Sequence, residues 1–274
     1  MDLDRYLERI EHSGGVAPDL ATLSSLHTAH VCSVPFENLD VQFGRPLTTR
    51  VEEAYKKIVT RRRGGWCYEQ NGLFGWALSQ MGFRVTRMAA AVRRPTGQKA
   101  LDANHLCLLV DSDCLEYRYL VDVGFGGSMV SPIVLEETEE CQPPFRLGLR
   151  RLDDGRWKFW EATGLAEFGF DFSTTAACEQ RLTDACSLLQ SDPASSFVLN
   201  LVVQLRSRSE HRTLRGRVFT SATAAGKHTE TLGSPSALVN TLADKFRLDV
   251  PEAAGLWSQI LTRHDELHGS HAAT

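Results

Sequence analysis

The chain has 274 residues and a formal net charge of −4, which gives length for a sizeable core in one large domain or two to three small ones, and a balance that argues against nucleic-acid or membrane-surface binding. Its apolar runs, such as Leu106–Val110 and Phe197–Leu205, are far too short to span a bilayer, and Met1-Asp2-Leu3-Asp4-Arg5-Tyr6 does not read as a signal peptide. The seven cysteines are odd in number and lack paired spacing, which argues against a disulfide framework and for a reducing, cytoplasmic compartment.

Residues 1–90 read mainly as helices. Leu3, Tyr6, Leu7 and Ile10 form one amphipathic stripe, ended by Gly14-Gly15, and Asp19 to Val31 continues with Leu20, Leu23, Leu26 and Ala29. Val34-Pro35-Phe36-Glu37-Asn38-Leu39 starts a short element, and Val51–Val59 predicts a further helix. Next comes Arg63-Gly64-Gly65-Trp66-Cys67-Tyr68-Glu69-Gln70-Asn71. Two glycines make a tight turn, and Leu73, Phe74, Ala77, Leu78 and Met81 then recur at helical spacing, with Gly82 at the C-terminal cap. Cys67 therefore falls in the first turn of a helix, where free N–H groups and the positive dipole end favour a thiolate.

From Arg84 the pattern turns to strands: Val85 with Met88–Val92, then Leu106–Val110, Tyr117–Val123 and short strands around Phe145–Trp160. Arg94–Lys99 reads as a polar loop. After Leu182 a helical segment precedes a long β run, Phe197–Leu205, with Leu214–Thr220 as its expected partner. A helical pair, Ser236–Phe246 and Pro251–Glu266, closes the chain, and His268–Thr274 reads as an unstructured tail.

A thiolate nucleophile needs a base, and the base an orienting group. If the strands 106–110 and 117–123 pair as a hairpin closed at Val110 and Tyr117, His105 falls directly opposite Asp122, with Cβ atoms roughly 4.5–5.5 Å apart. That is hydrogen-bond reach, conditional on register. Asp122 would then fix the His105 tautomer, His105 would activate Cys67, and the Cys67 N–H would be an oxyanion donor. Each residue alone has a plainer reading. Buried cysteines are commonly small hydrophobes, histidines at strand starts are commonly structural, and Asp before Val-Gly is a turn former. The combination is less easily accidental. Cys107 and Cys114 near His105 lack zinc-site spacing, so no metal is expected.

These residues resemble a family. The segment Arg63–Asn71 is similar to the active-site signature of the arylamine N-acetyltransferases, Val34–Leu39 to their second marker, and Asn104-His105 and Val121-Asp122-Val123-Gly124-Phe125-Gly126 to the segments that supply the triad His and Asp. The resemblance spans essentially the whole chain and suits the bacterial members. It implies a ping-pong transfer: Cys67 takes the acetyl group of acetyl-CoA, and an arylamine or hydrazine nitrogen removes it, with His105 as base and acid and Asp122 as orienter. Acetyl-CoA is then a substrate, and no tightly bound cofactor is expected. By resemblance Phe125 lines the acceptor pocket, with Phe36 and Phe197 as further wall candidates, aromatic walls suiting an aryl ring. Gly126 and Gly127 offer backbone N–H groups to a pyrophosphate, though the stretch is too short for a phosphate-binding fingerprint and a plain turn is the default reading, and Arg63 with Glu37 resembles a buried ion pair that locks the cysteine loop to the N-terminal helices, against the plainer reading of ordinary surface charge.

The expected fold is α+β. A helical bundle (1–88) carries Cys67, a β-barrel-like part (89–185) carries His105 and Asp122, and an α/β lid (186–274) completes the cleft that the resemblance implies. The expected partners are acetyl-CoA and a small aromatic amine or hydrazine, with no nucleic acid and no membrane, for a monomer or homodimer. Other readings remain at this level: an amide synthase of the same family acting on a polyketide thioester, a transglutaminase-like enzyme or cysteine hydrolase with the same Cys-His-Asp order, and a non-catalytic scaffold.

Overall fold

The computed structural model describes residues 1–92 and 103–268; the Arg94–Lys99 loop, and all of the expected tail but His268, lie outside the described residues. Helix α1 (Leu3–Arg9) starts at Asp2, whose Oδ1 accepts from the Arg5 N–H at 3.2 Å, and α2 (Leu20–Ser33) starts at Asp19, whose Oδ1 accepts from the Thr22 N–H at 2.8 Å. Each carboxylate satisfies an orphan donor at the positive end of its helix. The element after Val34 is a two-residue strand, β1 (Phe36–Glu37), and a one-turn helix, α3 (Leu39–Gln42). The helix expected over Val51–Val59 begins as α4 (Val51–Tyr55) and widens into a π-turn, Lys56–Thr60. Helix α5 (Cys67–Gln80) starts at the cysteine and ends at Met81, with Gly82 following.

From Arg84 the chain builds β2 (Arg84–Val92), β3 (His105–Asp111), β4 (Tyr119–Val121), β5 (Ile133–Val134), β6 (Thr138–Gln142), β7 (Phe145–Arg151), β8 (Trp157–Ala162) and β9 (Phe168–Phe172). They form one antiparallel sheet in the order β5-β4-β3-β2-β9-β8-β7-β6. Its two edges approach where Gln142 Oε1 accepts from the Val130 and Ser131 N–H groups, at 2.6 and 3.1 Å, just ahead of β5. The sheet is thus curled nearly into a barrel around Met88, Cys107, Leu109, Leu147, Phe159 and Phe170, and the α+β class stands as expected.

The β3–β4 register differs from the expected one. Val110 pairs with Tyr119, not Tyr117, and Leu108 pairs with Val121. A turn consumes the missing residues: the Leu115 N–H donates to Ser112 O and the Cys114 N–H to Ser112 Oγ, both at 3.2 Å. The shift is two residues, so every side chain keeps its face, and Asp122 lies diagonal to His105 rather than opposite it.

Helix α6 (Glu179–Ser191) follows the barrel. The run Phe197–Leu205, expected as one strand, is instead a short helix, α7 (Ser196–Leu199), and a strand, β10 (Val202–Arg206). Ser195 Oγ accepts from the Phe197 N–H at 3.2 Å and so starts the helix. Asn38 Nδ2 donates to the carbonyls of Phe197 and Asn200, both at 2.8 Å, while Asn38 Oδ1 accepts from the Val202 N–H at 2.8 Å, so extended pairing begins only there. The expected partner Leu214–Thr220 is likewise not one strand: it spans the turn between β11 (Glu210–Arg215) and β12 (Val218–Thr223), and β13 (Gly226–Thr231) follows. The second sheet has the order β1-β10-β11-β12-β13, with Phe36 opposite Gln204 and Glu37 opposite Val203. Helix α8 (Pro235–Phe246), a 3-10 turn at Pro251–Leu256 and α9 (Trp257–His268) are the closing helical pair. Among the described residues no helix is long and apolar enough to cross a membrane.

Candidate active site

Trp66 precedes α5 and has no side-chain oxygen to cap it, so only half of a capping box forms: Glu69 Oε2 accepts from the Trp66 N–H at 3.2 Å. The Glu69 and Gln70 N–H groups donate to Trp66 O at 3.1 and 2.9 Å, which puts the N–H groups of Cys67 and Tyr68 at the open end of the helix, and Cys67 is 4% exposed. Against this helix end stand His105, the first residue of β3, and Asp122, just past β4. His105 Nε2 donates to Asp122 Oδ2 at 2.6 Å, and both side chains are buried. With Nε2 committed to the carboxylate, Nδ1 is the nitrogen left for the Cys67 sulfur, which interacts with the same ring. Burial on its own would lower the imidazole pKa. The Asp122 charge and hydrogen bond, with the Cys67 sulfur, outweigh it and raise the pKa to about 10. An imidazolium is thereby held beside the Cys67 sulfur at a helix N-terminus.

Asn71 fixes the carboxylate. It lies four residues after Cys67, hence on the same face of α5. Its Nδ2 donates to Asp122 Oδ1 at 2.7 Å and to Leu106 O at 2.6 Å, while its Oδ1 accepts from the Val123 N–H at 2.9 Å. The Gly124 N–H adds a donor to Asp122 Oδ1 at 2.9 Å. Gly124 is needed here for closeness: a Cβ there would sit 2.7 Å from Cys67 Cα and 2.8 Å from Asn71 Nδ2. We expect Gly124→Ala to remain folded and to lose about 100-fold in kcat/KM through displaced reacting groups. Equal activity at an unchanged melting temperature would show that the loop yields without cost.

The expected pair of Arg63 and Glu37 is present, at 2.9 Å, inside a larger cluster. Lys57 Nζ, on the π-turn and 2% exposed, reaches Glu69 Oε2 at 2.9 Å, Asp40 Oδ2 at 3.0 Å and Glu37 Oε1 at 3.6 Å, and Arg63 also reaches Asp40 at 3.4 Å. Burial would lower the lysine pKa, but the three carboxylates raise it above its ordinary value, and the two cations hold Asp40 below its own despite burial. Gln70 Nε2 donates to Gly65 O at 2.7 Å and holds the glycine turn from the other side.

Phe36 and Phe197 lie together, ring centroids 6.3 Å apart, and Phe197 meets Trp66 edge-on at 5.6 Å. Phe125 meets the His105 ring at 5.3 Å, Phe170 at 5.0 Å and Phe159 at 5.7 Å. Aromatic walls thus flank the cysteine and the histidine. Gly126 and Gly127, at φ +107° and +90°, pack directly on β10: a Cβ on Gly126 would strike Gln204 Oε1, and one on Gly127 would sit 3.0 Å from Arg206 Cβ. Arg206 donates to the carbonyls of Ser128, Gln142, Pro143, Ser207 and Glu210, which ties the Phe125 loop to the barrel edge and the second sheet. A cavity of about 1000 Å³ lies elsewhere, between α9 and β11–β12, and none of Cys67, His105 and Asp122 lines it.

The profile of a family described as N-acetyltransferase matches residues 19–254. The arylamine N-acetyltransferase of Mycolicibacterium smegmatis is 35% identical over 265 residues, covering 93% of this chain and 94% of that one. The chain belongs to the arylamine N-acetyltransferase family. Solved structures agree. The M. tuberculosis arylamine N-acetyltransferase superposes with a TM-score of 0.86 at 31% identity, over 94% of this chain and 99% of that one. The Mycobacterium marinum arylamine N-acetyltransferase, solved in complex with CoA, gives 0.88 at 31% identity, over 94% and 98%.

In this N-acetyltransferase, an acyltransferase, Cys67, His105 and Asp122 converge from α5, β3 and the segment after β4. Phe36, Phe125 and Phe197 come near them, whereas Gly126 and Gly127 face β10. Sequence reasoning missed Asn71, although its i+4 spacing from Cys67 would have found it. It missed Lys57, Asp40 and Glu69 because no local pattern says which charges a fold will bury together.

Proposed function

We propose that the chain transfers the acetyl group of acetyl-CoA to arylamine or hydrazine nitrogen in two steps, through an acetyl thioester on Cys67. In the first, the Cys67 thiolate attacks the thioester carbonyl, the Cys67 N–H steadies the oxyanion, and CoA leaves, taking a proton from His105. In the second, the amine nitrogen attacks the acetyl-cysteine, His105 removes its proton, and Cys67 leaves as thiolate. Passing an acetyl group from the CoA sulfur to the Cys67 sulfur is nearly isoenergetic, and aminolysis of the resulting thioester to an amide runs downhill, so the covalent intermediate splits the transfer into two modest steps. Asp122 acts through His105 and is its positioning residue.

The observation that carries this reading is the buried Cys67–His105–Asp122 chain, with its 2.6 Å carboxylate–imidazole bond and an imidazole pKa raised to about 10. Phe36, Phe125 and Phe197 would wall the acceptor, Gly126 and Gly127 would meet CoA, and the Arg63–Glu37 pair would lock the cysteine loop. The division at residues 1–88, 89–185 and 186–274 belongs to the same reading, supported by the origin of Cys67, His105 and Phe197, one in each part.

Intact-protein mass after brief incubation with acetyl-CoA and no amine tests it. Wild type should gain one acetyl group, Cys67→Ala none, and an aromatic amine should discharge the adduct. No adduct on a Cys67 that alkylates quickly would instead indicate a different acyl donor, such as a polyketide thioester, or a hydrolase.

A further inference from the structure

The peptide that joins Gly65 to Trp66 is held at both ends. Its N–H, on Trp66, donates to Glu69 Oε2 at 3.2 Å, and its carbonyl, Gly65 O, accepts from the Glu37 N–H at 3.0 Å and from Gln70 Nε2 at 2.7 Å. The next peptide takes its direction from this one. Its carbonyl, Trp66 O, accepts from the Glu69 and Gln70 N–H groups, and its other end is the Cys67 N–H at the open start of α5. Two successive side chains, Glu69 and Gln70, therefore clamp the peptide that sets the aim of the Cys67 N–H. Gln70 holds its carbonyl only with the amide one way round. The same NH₂ faces Pro35 O at 3.4 Å, and both carbonyls can only accept, so Oε1 is the end that meets His30 Nε2 at 3.2 Å. His30 Nε2 is then the donor and Nδ1 the acceptor, which takes the Tyr6 O–H at 2.7 Å.

Building on the acetyl-transfer reading, we propose that Gln70 is a positioning residue for acyl transfer: locked in one orientation by the Tyr6–His30 pair, it fixes the Gly65–Trp66 peptide and thereby aims the Cys67 N–H at the oxyanion. Tyr6, His30 and Gln70 are all 0% exposed, so no water competes for these bonds. Burial lowers the His30 pKa to about 3 and so keeps the ring neutral, with one donor and one acceptor. Burial also raises the Tyr6 pKa well above its ordinary value, which keeps the proton that Nδ1 accepts. The chain Tyr6, His30, Gln70, Gly65 O thus runs in a single direction from α1 to the cysteine turn. Gln70 acts through the backbone, and the state of the Cys67 sulfur stays with His105 and Asp122.

That division gives the test. Alkylation of Cys67 by iodoacetamide needs the thiolate but forms no oxyanion, whereas acetylation needs both. The two rates are measured at Cys67 by peptide mass, with acetyl-CoA and separately 4-nitrophenyl acetate as acyl donors, for wild type, Gln70→Met, His30→Leu and His30→Gln, and melting temperature is followed alongside. Gln70→Met should slow acetylation by either donor about 100-fold and alkylation by less than about threefold. His30→Leu frees the Gln70 amide to turn and should slow acetylation about tenfold, whereas His30→Gln places an amide N–H where Nε2 stood and should bring it back to within about threefold of wild type. If Gln70→Met does not fold, the two His30 variants decide. An unchanged ratio of acetylation to alkylation, whether both rates hold or both fall together, means a merely structural role and overturns the proposal alone, as do equal losses in His30→Leu and His30→Gln. A wild type acetylated by the ester but not by acetyl-CoA overturns acetyl-CoA as the donor, and the Gln70 comparison is then decided with the ester. A wild type that neither donor acetylates overturns both.

Discussion

Asp122→Asn should leave the protein folded and slow acetylation of Cys67 by about 10³–10⁴-fold. The carboxylate makes three hydrogen bonds: Oδ1 accepts from Asn71 Nδ2 and the Gly124 N–H, and Oδ2 accepts from His105 Nε2. An asparagine whose oxygen keeps the first two must turn its NH₂ toward His105. Nε2 then becomes the acceptor, the proton moves to Nδ1, and the nitrogen facing Cys67 no longer takes a proton. The charge is lost as well. A pKa raised to about 10 keeps the imidazolium present below that pH and loses it as pH rises through it. Without Asp122 the alkaline limit must move down. The same sign governs stability: the favourable contribution is complete below the unfolded histidine pKa, about 6.5, and is gone above about 10. The rate of CoA release in the first half-reaction against pH, in wild type and variant, reads both effects. An Asp122→Asn enzyme with wild-type acetylation and an unmoved alkaline limit would remove Asp122 from the mechanism.

Lys57→Met should cost about 3–5 kcal/mol in stability, a fall in melting temperature on the order of 10 °C for a chain of this size. The methionine fills the space but leaves Glu69 without its cation, and Glu37 and Asp40 with Arg63 and, for Asp40, the half-exposed Arg45 at 3.6 Å. Arg63→Met should cost less, because Arg63 is 11% exposed and Lys57 would keep contact with all three carboxylates. The sign with pH is also fixed. Carboxylates that lose a cation bind protons more readily, so the Lys57→Met deficit should shrink as pH is lowered toward 5. Melting curves over that range decide it, and a constant small deficit would mean that water already screens the cluster.

How much of this was legible depended on whether the controlling contacts were local. The position of Cys67 followed from Gly64-Gly65 and the helical spacing after it, all within one element. The His105–Asp122 contact was reached through a register wrong by two residues, and it survived because a two-residue slip preserves the face. A slip of one would have sent Asp122 to the opposite side. The split of Phe197–Leu205 was illegible because Asn38, more than 150 residues away in sequence, decides where extended pairing begins. Ser195 did carry a local capping signal, outweighed in the reading by the apolar run after it. Arg206 had no local signature at all, since its neighbours come from separate loops and strands.

The pairing of Phe36 with Gln204 has a consequence for the order in which the protein is made. Strand β1 lies next to the cysteine turn through a Phe36–Gly65 bridge, yet its sheet partners are residues 202–206. Chains emerge from the ribosome N-terminus first and pairings distant in sequence form late. The nucleophile's helix is therefore exposed to the cell well before its covering sheet exists. A nascent chain stalled before residue 202 should carry an alkylatable but transferase-inactive Cys67, and acyl transfer should switch on only after the last sheet has closed over β1.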